Sequence, residues 1–134
     1  MFVLKNKYFW ILLSIILFVF VVSYSLPKPI SMDLKQVGNG LNSVVFIYDL
    51  NLSVSNQQAT EMNKAREIVG DNYNFLVLKA GNPKTKDFKD QYRARAPELL
   101  FFSANGDLID RKMGLLSANQ LIEKLSYTNL KQKK

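Results

Sequence analysis

The chain has 134 residues, enough for one domain and not two, and a formal net charge of +7. It contains no cysteine and no histidine. Within these residues that excludes disulfides, thiolate or imidazole metal ligation, and any Ser-His-Asp or Cys-His catalytic group. Catalysis would have to rest on Asp, Glu, Lys, Tyr or Ser.

Residues 1–26 differ from the rest. Positions 8–26 read YFWILLSIILFVFVVSYSL, with no charged residue. That is about the ~20 residues a helix needs to cross a bilayer core. Tyr8, Trp10 and Tyr24 lie near its ends, where amphipathic rings favour the headgroup region, and Pro27 and Pro29 stop it. Lys5 and Lys7 precede the run and Lys28 and Lys35 come after it. The positive-inside bias predicts a single-pass anchor in an inner (cytoplasmic) membrane. The N-terminus would be cytoplasmic and the domain periplasmic or extracellular. The same features, with Ser23 and Ser25 before Leu26, also compose a cleavable signal peptide. Both readings export the domain, and the first makes membrane lipid a partner of residues 8–26.

Residues 27–43 read as a linker broken at Gly38-Asn39-Gly40, with a short helix within 32–37. The domain then spans 44–126. VVFIYD, 44–49, is a short apolar run fitting a strand buried on both faces. Ser55 and Gln58 have the spacing of a capping box. Ala59, Met62, Ala65 and Val69 give the following helix one apolar stripe, and Gly70 ends it. A second strand is expected over 73–79. Gly81-Asn82-Pro83 turns the chain into a short polar helix over 84–92, with Phe88 and Tyr92 on one face. Pro97 precedes a third strand, 98–103, and Asn105-Gly106 marks a hairpin to a fourth, 107–113, which Gly114 ends. Ser117 and Gln120 form a second capping box, with Leu116 and Leu121 as a hydrophobic staple and Leu121, Ile122 and Leu125 as the buried face. The basic tail 127–134 is expected to fray from 130 onward. Helical crossovers between the first three strands predict that they run parallel. The hairpin adds an antiparallel edge, giving a central mixed sheet flanked by helices.

Residues 92–102, YRARAPELLFF, then Asn105-Gly106-Asp107, Gly114, and Ser117 with Leu121 and Leu125, resemble the C-terminal half of thioredoxins. The resemblance extends over about 44–125. It implies the thioredoxin fold (α/β) and a cis Ala96–Pro97 bond whose neighbouring backbone pairs with an extended peptide. A cis bond kept only because the turn needs it is the alternative. The family's CxxC falls on Leu52-Ser53-Val54-Ser55 or, shifted by one, on 53–56. Neither register holds a thiol. The ungapped alignment also puts Phe46 where the family has a buried Asp, and Leu76 where that Asp has a lysine neighbour.

Lys79, Lys84, Lys86, Lys89, Arg93 and Arg95 stand against Asp87 and Asp90 in a short stretch. They read as a headgroup-attracting patch or as a solvated helix face. An exported domain without a stacking platform disfavours nucleic acid. Asp107 and Asp110 look like turn and edge residues, and Asp49 stands alone at a strand end. The sequence therefore predicts no catalytic residue, cofactor or metal. It predicts a redox-inactive interaction module that binds a protein partner through Tyr48, Leu52, Ser53, Ser55, Arg95, Ala96 and Pro97. The alternatives are an accessory structural subunit of a membrane complex, or an oxidoreductase-related protein working through a partner's thiols.

Overall fold

The computed structural model of the chain describes residues 6–26 and 29–132. Helix α1, Lys7–Ser25, has no buried residue. Its 19 residues span roughly 28 Å at 1.5 Å each, close to a hydrocarbon core. It is one helix long and apolar enough to cross a membrane. Ser23 and Ser25 donate to the carbonyls of Val19 and Val21 at 2.8 Å, so both hydroxyls are satisfied within the helix. Pro27, expected to end the helix, lies outside the described residues.

Four strands form one sheet: β1 Ser43–Tyr48, β2 Asn74–Lys79, β3 Glu98–Phe102 and β4 Leu108–Met113, in the order β2-β1-β3-β4. Strands β1 and β2 are parallel, with Phe46 beside Val77. The chain between them includes helix α2, Ser53–Val69, whose 17 residues extend roughly 25 Å and return it along the sheet.

Strand β3 corrects the expectation of three parallel strands, because it runs antiparallel to β1, pairing Val44 with Phe101 and Phe46 with Leu99. The reason is length. Helix α3, Lys86–Tyr92, has seven residues and covers only about 10 Å, whereas a six-residue strand covers roughly 20 Å. The chain therefore re-enters the sheet at the end where β2 left it.

The continuous apolar runs are explained by burial on both faces. Val44, Phe46, Phe75, Leu99 and Phe101 meet Met62 and Ala65 of α2 and Leu121 and Leu125 of helix α4, Ala118–Gln132. Val45, Ile47, Leu76, Leu100 and Phe102 meet Phe88 and Ala94 on the other face, with Leu34 and Val37 packed alongside. Phe88, Tyr92 and Phe102 form a ring cluster with centroids 4.8–6.0 Å apart.

The segment before β1 packs on the domain. Ser31 bridges Leu76 in parallel, and its carbonyl accepts from the Val77 amide at 3.0 Å. A 3-10 turn, Leu34–Gln36, lies next, inside the expected range. Gly38, with φ of +87°, lies against the hairpin backbone at Asn105 and Gly106. Buried Asn74 ties this segment down, donating to the Gln36 carbonyl at 2.9 Å and to Asn39 Oδ1 at 2.8 Å.

The two capping boxes turn out differently. Ser117 and Gln120 exchange bonds as expected, amide to Oε1 at 2.9 Å and amide to hydroxyl at 3.3 Å. Ser55 and Gln58 do not. Helix α2 starts at Ser53, after Leu52, which makes no side-chain cap bond, and Ser55 and Gln58 are buried. At the other end of the chain, α4 continues to Gln132, past the point where fraying was expected.

Candidate functional site

Antiparallel pairing brings the end of β1, the start of β3 and the end of β4 to one end of the sheet. Continuing the register from Phe46 and Leu99 leads to Tyr48 and Pro97. Beyond the Glu98–Met113 pair, the Gly114 amide donates to the Pro97 carbonyl at 2.6 Å. The loop into α2 leaves from the same end. The predicted residues therefore share one end of the fold, with different exposures.

Tyr48 is half-buried. Its ring meets Phe46 edge-on at 6.2 Å, and its hydroxyl donates to Asn56 Oδ1. Leu52 is half-buried and Ser53 exposed. Ser55 lies beneath the surface, 0% exposed, and its hydroxyl accepts from the Asp49 amide at 3.1 Å. It fixes the β1–α2 loop and presents nothing to a partner. Arg95 is exposed, Ala96 and Pro97 are half-buried, and the Ala96–Pro97 bond is cis, as the resemblance implied.

Phe46, where the family carries its buried acid, is fully enclosed in the core. The expected neighbour is corrected by register. Phe46 pairs with Val77, while Leu76 belongs to the core on the opposite face. Both are apolar, so no ionisable side chain occupies either place. Among the described residues no group of three or more Asp or Glu could hold a metal ion.

Sequence reasoning missed the residues that brace this end. Glu98, 5% exposed, accepts from Arg111 Nε at 2.5 Å and from the Arg95 amide at 3.1 Å. Arg111 also donates to the Tyr92 carbonyl at 2.9 Å and the Arg93 carbonyl at 3.4 Å. One ion pair thus ties β4 to β3 and to the loop entering Pro97. Burial alone would push the Glu98 carboxyl up. The Arg111 hydrogen bond, the Arg95 amide and both positive charges outweigh it and hold the carboxyl below the usual range. The signal was a charge opening an otherwise apolar strand, which needs a partner when buried. Buried Gln58 is the second brace. It donates to the Leu116 carbonyl at 2.9 Å and accepts from the Leu116 amide at 2.7 Å, locking the turn after β4 onto α2.

Three apolar side chains were also missed. Leu50 is 71% exposed, Leu115 47% and Met113 45%. They lie just past β1 or at the end of β4, so all three stand at this end of the sheet. For Leu50 and Leu115 the signal was leucine placed beyond a strand end, where a turn needs no apolar group; Met113 closes β4 and gave none. Of the basic stretch, Lys86 pairs with Asp90 at 2.9 Å and Lys89 donates to the Ala80 carbonyl at 3.2 Å. Lys79 and Lys84 are exposed.

Comparison with solved structures shows the fold, which is thioredoxin-like. No family model matches the chain, and no curated protein matches it. Solved structures do. An uncharacterised thioredoxin-like protein from Clostridium perfringens is 16% identical with a TM-score of 0.67, over 76% of this chain and 82% of that one. The Trxlp protein from Edwardsiella tarda is 17% identical with a TM-score of 0.61, over 72% and 98%. A thioredoxin from Thermus thermophilus is 12% identical with a TM-score of 0.60, over 79% and 90%.

Proposed function

Starting from a thioredoxin-like fold without a cysteine, we propose that the chain is a membrane-anchored interaction module on the extracytoplasmic side. It binds an extended segment of a partner protein at the sheet end bearing Tyr48, Leu52, Ser53, Ala96 and Pro97. The observation that carries this reading is the exposed apolar trio Leu50, Met113 and Leu115 around that end. Exposed apolar side chains at one end of a braced sheet are what a partner covers. The Glu98–Arg111 pair and Gln58 hold the loops in place, so little ordering is left for binding to oppose. Arg95 adds a positive charge at the rim. Thiol chemistry by this chain itself is excluded, because it has no thiol. Insulin reduction by the purified protein would overturn that exclusion.

The test is photocrosslinking from Leu52 and Ala96 in the full chain in its native membrane. Capture of the same partner from both positions supports the site. Capture only from α4 or the β3–β4 hairpin sinks it.

One observation favours a second reading, an accessory subunit of a membrane complex. Helix α1 is apolar all round and buried nowhere, so either lipid or other helices can cover it. Replacing α1 with an unrelated membrane helix discriminates. Loss of the complex with the domain still folded favours the subunit reading, and retention favours the module.

A further inference from the structure

The distance between α1 and the sheet confines the domain. Five residue steps separate Leu26, at the end of α1, from Ser31, which bridges β2. Fully extended, they span at most about 18 Å. About 6 Å of that lies within the headgroup layer when α1 fills the hydrocarbon core. Ser31 is therefore held within roughly a Debye length of the headgroup surface. It joins the sheet outside β2, while β4 lies three strands away, about 14 Å further. The β2 edge is therefore the tethered edge of the sheet.

That edge carries the right chemistry. Lys35, Lys79 and Lys84 are exposed, and the ion pairs among the described residues involve other lysines. Lys84 lines a groove of about 440 Å³ together with Met32 and Asp33. Met32 is 55% exposed, an apolar group beside the lysines. Of the nearby acids, Asp33 already accepts from the Lys35 amide at 3.0 Å, and Asp87 shares the neighbouring groove with Lys84.

We infer that the β2 edge docks on anionic lipid headgroups of the leaflet from which α1 emerges, through Lys35, Lys79 and Lys84. Docking fixes the domain's orientation and leaves β4 and α4 turned toward solvent. The inference rests on the membrane-anchored reading and adds a second contact between domain and bilayer.

The absence of cysteine makes the test direct, since one introduced cysteine is a unique label site. At Gly81 a new Cβ meets nothing within 4 Å, and Asn119 on α4 is exposed and serves as the reference. The full chain, as G81C or N119C with a fluorophore, is reconstituted in phosphatidylcholine vesicles with or without phosphatidylglycerol. A nitroxide-headgroup lipid is the quencher. The expected result is that phosphatidylglycerol raises quenching at position 81 and not at 119. The rise should vanish near 1 M salt. The K35Q/K79Q/K84Q variant should lower the docked-to-free ratio about a hundredfold, at about fivefold per lysine. A position 81 to 119 quenching ratio unchanged by phosphatidylglycerol overturns the docking while the anchor stands. Failure of the protein to float with the vesicles overturns the anchor itself.

Discussion

Replacing Glu98 with glutamine keeps the size of the side chain and removes its charge. The carboxylate accepts two bonds, from Arg111 Nε and from the Arg95 amide. A glutamine can meet one with its oxygen and must turn an NH2 toward the other. A hydrogen bond to a charged group is worth about 1.5–3 kcal/mol. Arg111 is 40% exposed and recovers water, so the lower end applies, about 1.5 kcal/mol. For a domain of this size that lowers Tm by roughly 6–12 °C. The direction of the shift sets the pH dependence. The folded-state carboxyl lies below its unfolded value. Its stabilisation is thus fully present above the unfolded value, near ~4.3. It is lost as pH falls through the lower folded one. The gap between wild type and E98Q should stay constant from about pH 7 to pH 5 and close below about pH 4. Urea unfolding in mild detergent, followed by tyrosine fluorescence, measures it, since the single tryptophan, Trp10, lies in α1. Equal stability at pH 7, or a gap unchanged at pH 3, refutes the clamp.

Three further outcomes are expected. Gln58→Met keeps most of the buried volume and leaves the Leu116 amide and carbonyl without Gln58, so urea unfolding should show a loss of about 2–4 kcal/mol; a loss below about 0.5 kcal/mol would mean that water replaces the amide. Gly106→Ala places a Cβ 3.3 Å from Gly38 Cα at a φ of +92°, so thermal unfolding should report a loss of about 1–3 kcal/mol, whereas Gly81→Ala should lie within about 0.5 kcal/mol of wild type. Leu50→Ser with Leu115→Ser should abolish crosslinking from Ala96 and shift unfolding by less than about 1 kcal/mol; undiminished capture would show that the partner ignores the apolar trio.

The sequence made the elements legible because each has a local cause. Ser117 and Gln120 cap α4 as their spacing predicts, and Asn105-Gly106 turns the hairpin. The Ser55–Gln58 pair has the same spacing and fails, because Ser55 is drawn to the Asp49 amide of the loop before the helix and Gln58 to Leu116, far along the chain. A local motif reads correctly only when no tertiary partner competes for its atoms. The direction of β3 was misread for a related reason. Alternation of strands and helices suggests crossovers, but the seven residues of α3 are too few to carry the chain back along the sheet.

The site was legible in outline and not in its mechanics. Tyr48, Leu52 and Pro97 fall together because the antiparallel register of β1 and β3 brings them there, which the expectation of parallel strands did not contain. The braces depend on pairings that no local pattern contains. Glu98 faces Met113 across the strand pair, and Arg111, two residues along β4, lies on the same face as Met113, at diagonal reach from Glu98. The β3–β4 register, with its shift between Phe101 and Phe102, sets that pairing, and with it the arginine that holds the loop before Pro97. In the proposed reading, a binding end whose stiffness depends on this ion pair should lose its partner when the pair is broken, even where the domain stays folded. E98Q at pH 7 and 25 °C, below its melting range, is therefore expected to weaken crosslinking from Ala96 more than from Leu52, because Arg111 binds the carbonyls of Tyr92 and Arg93 and none in the β1–α2 loop. Equal loss at both positions would assign the effect to the stability of the whole domain.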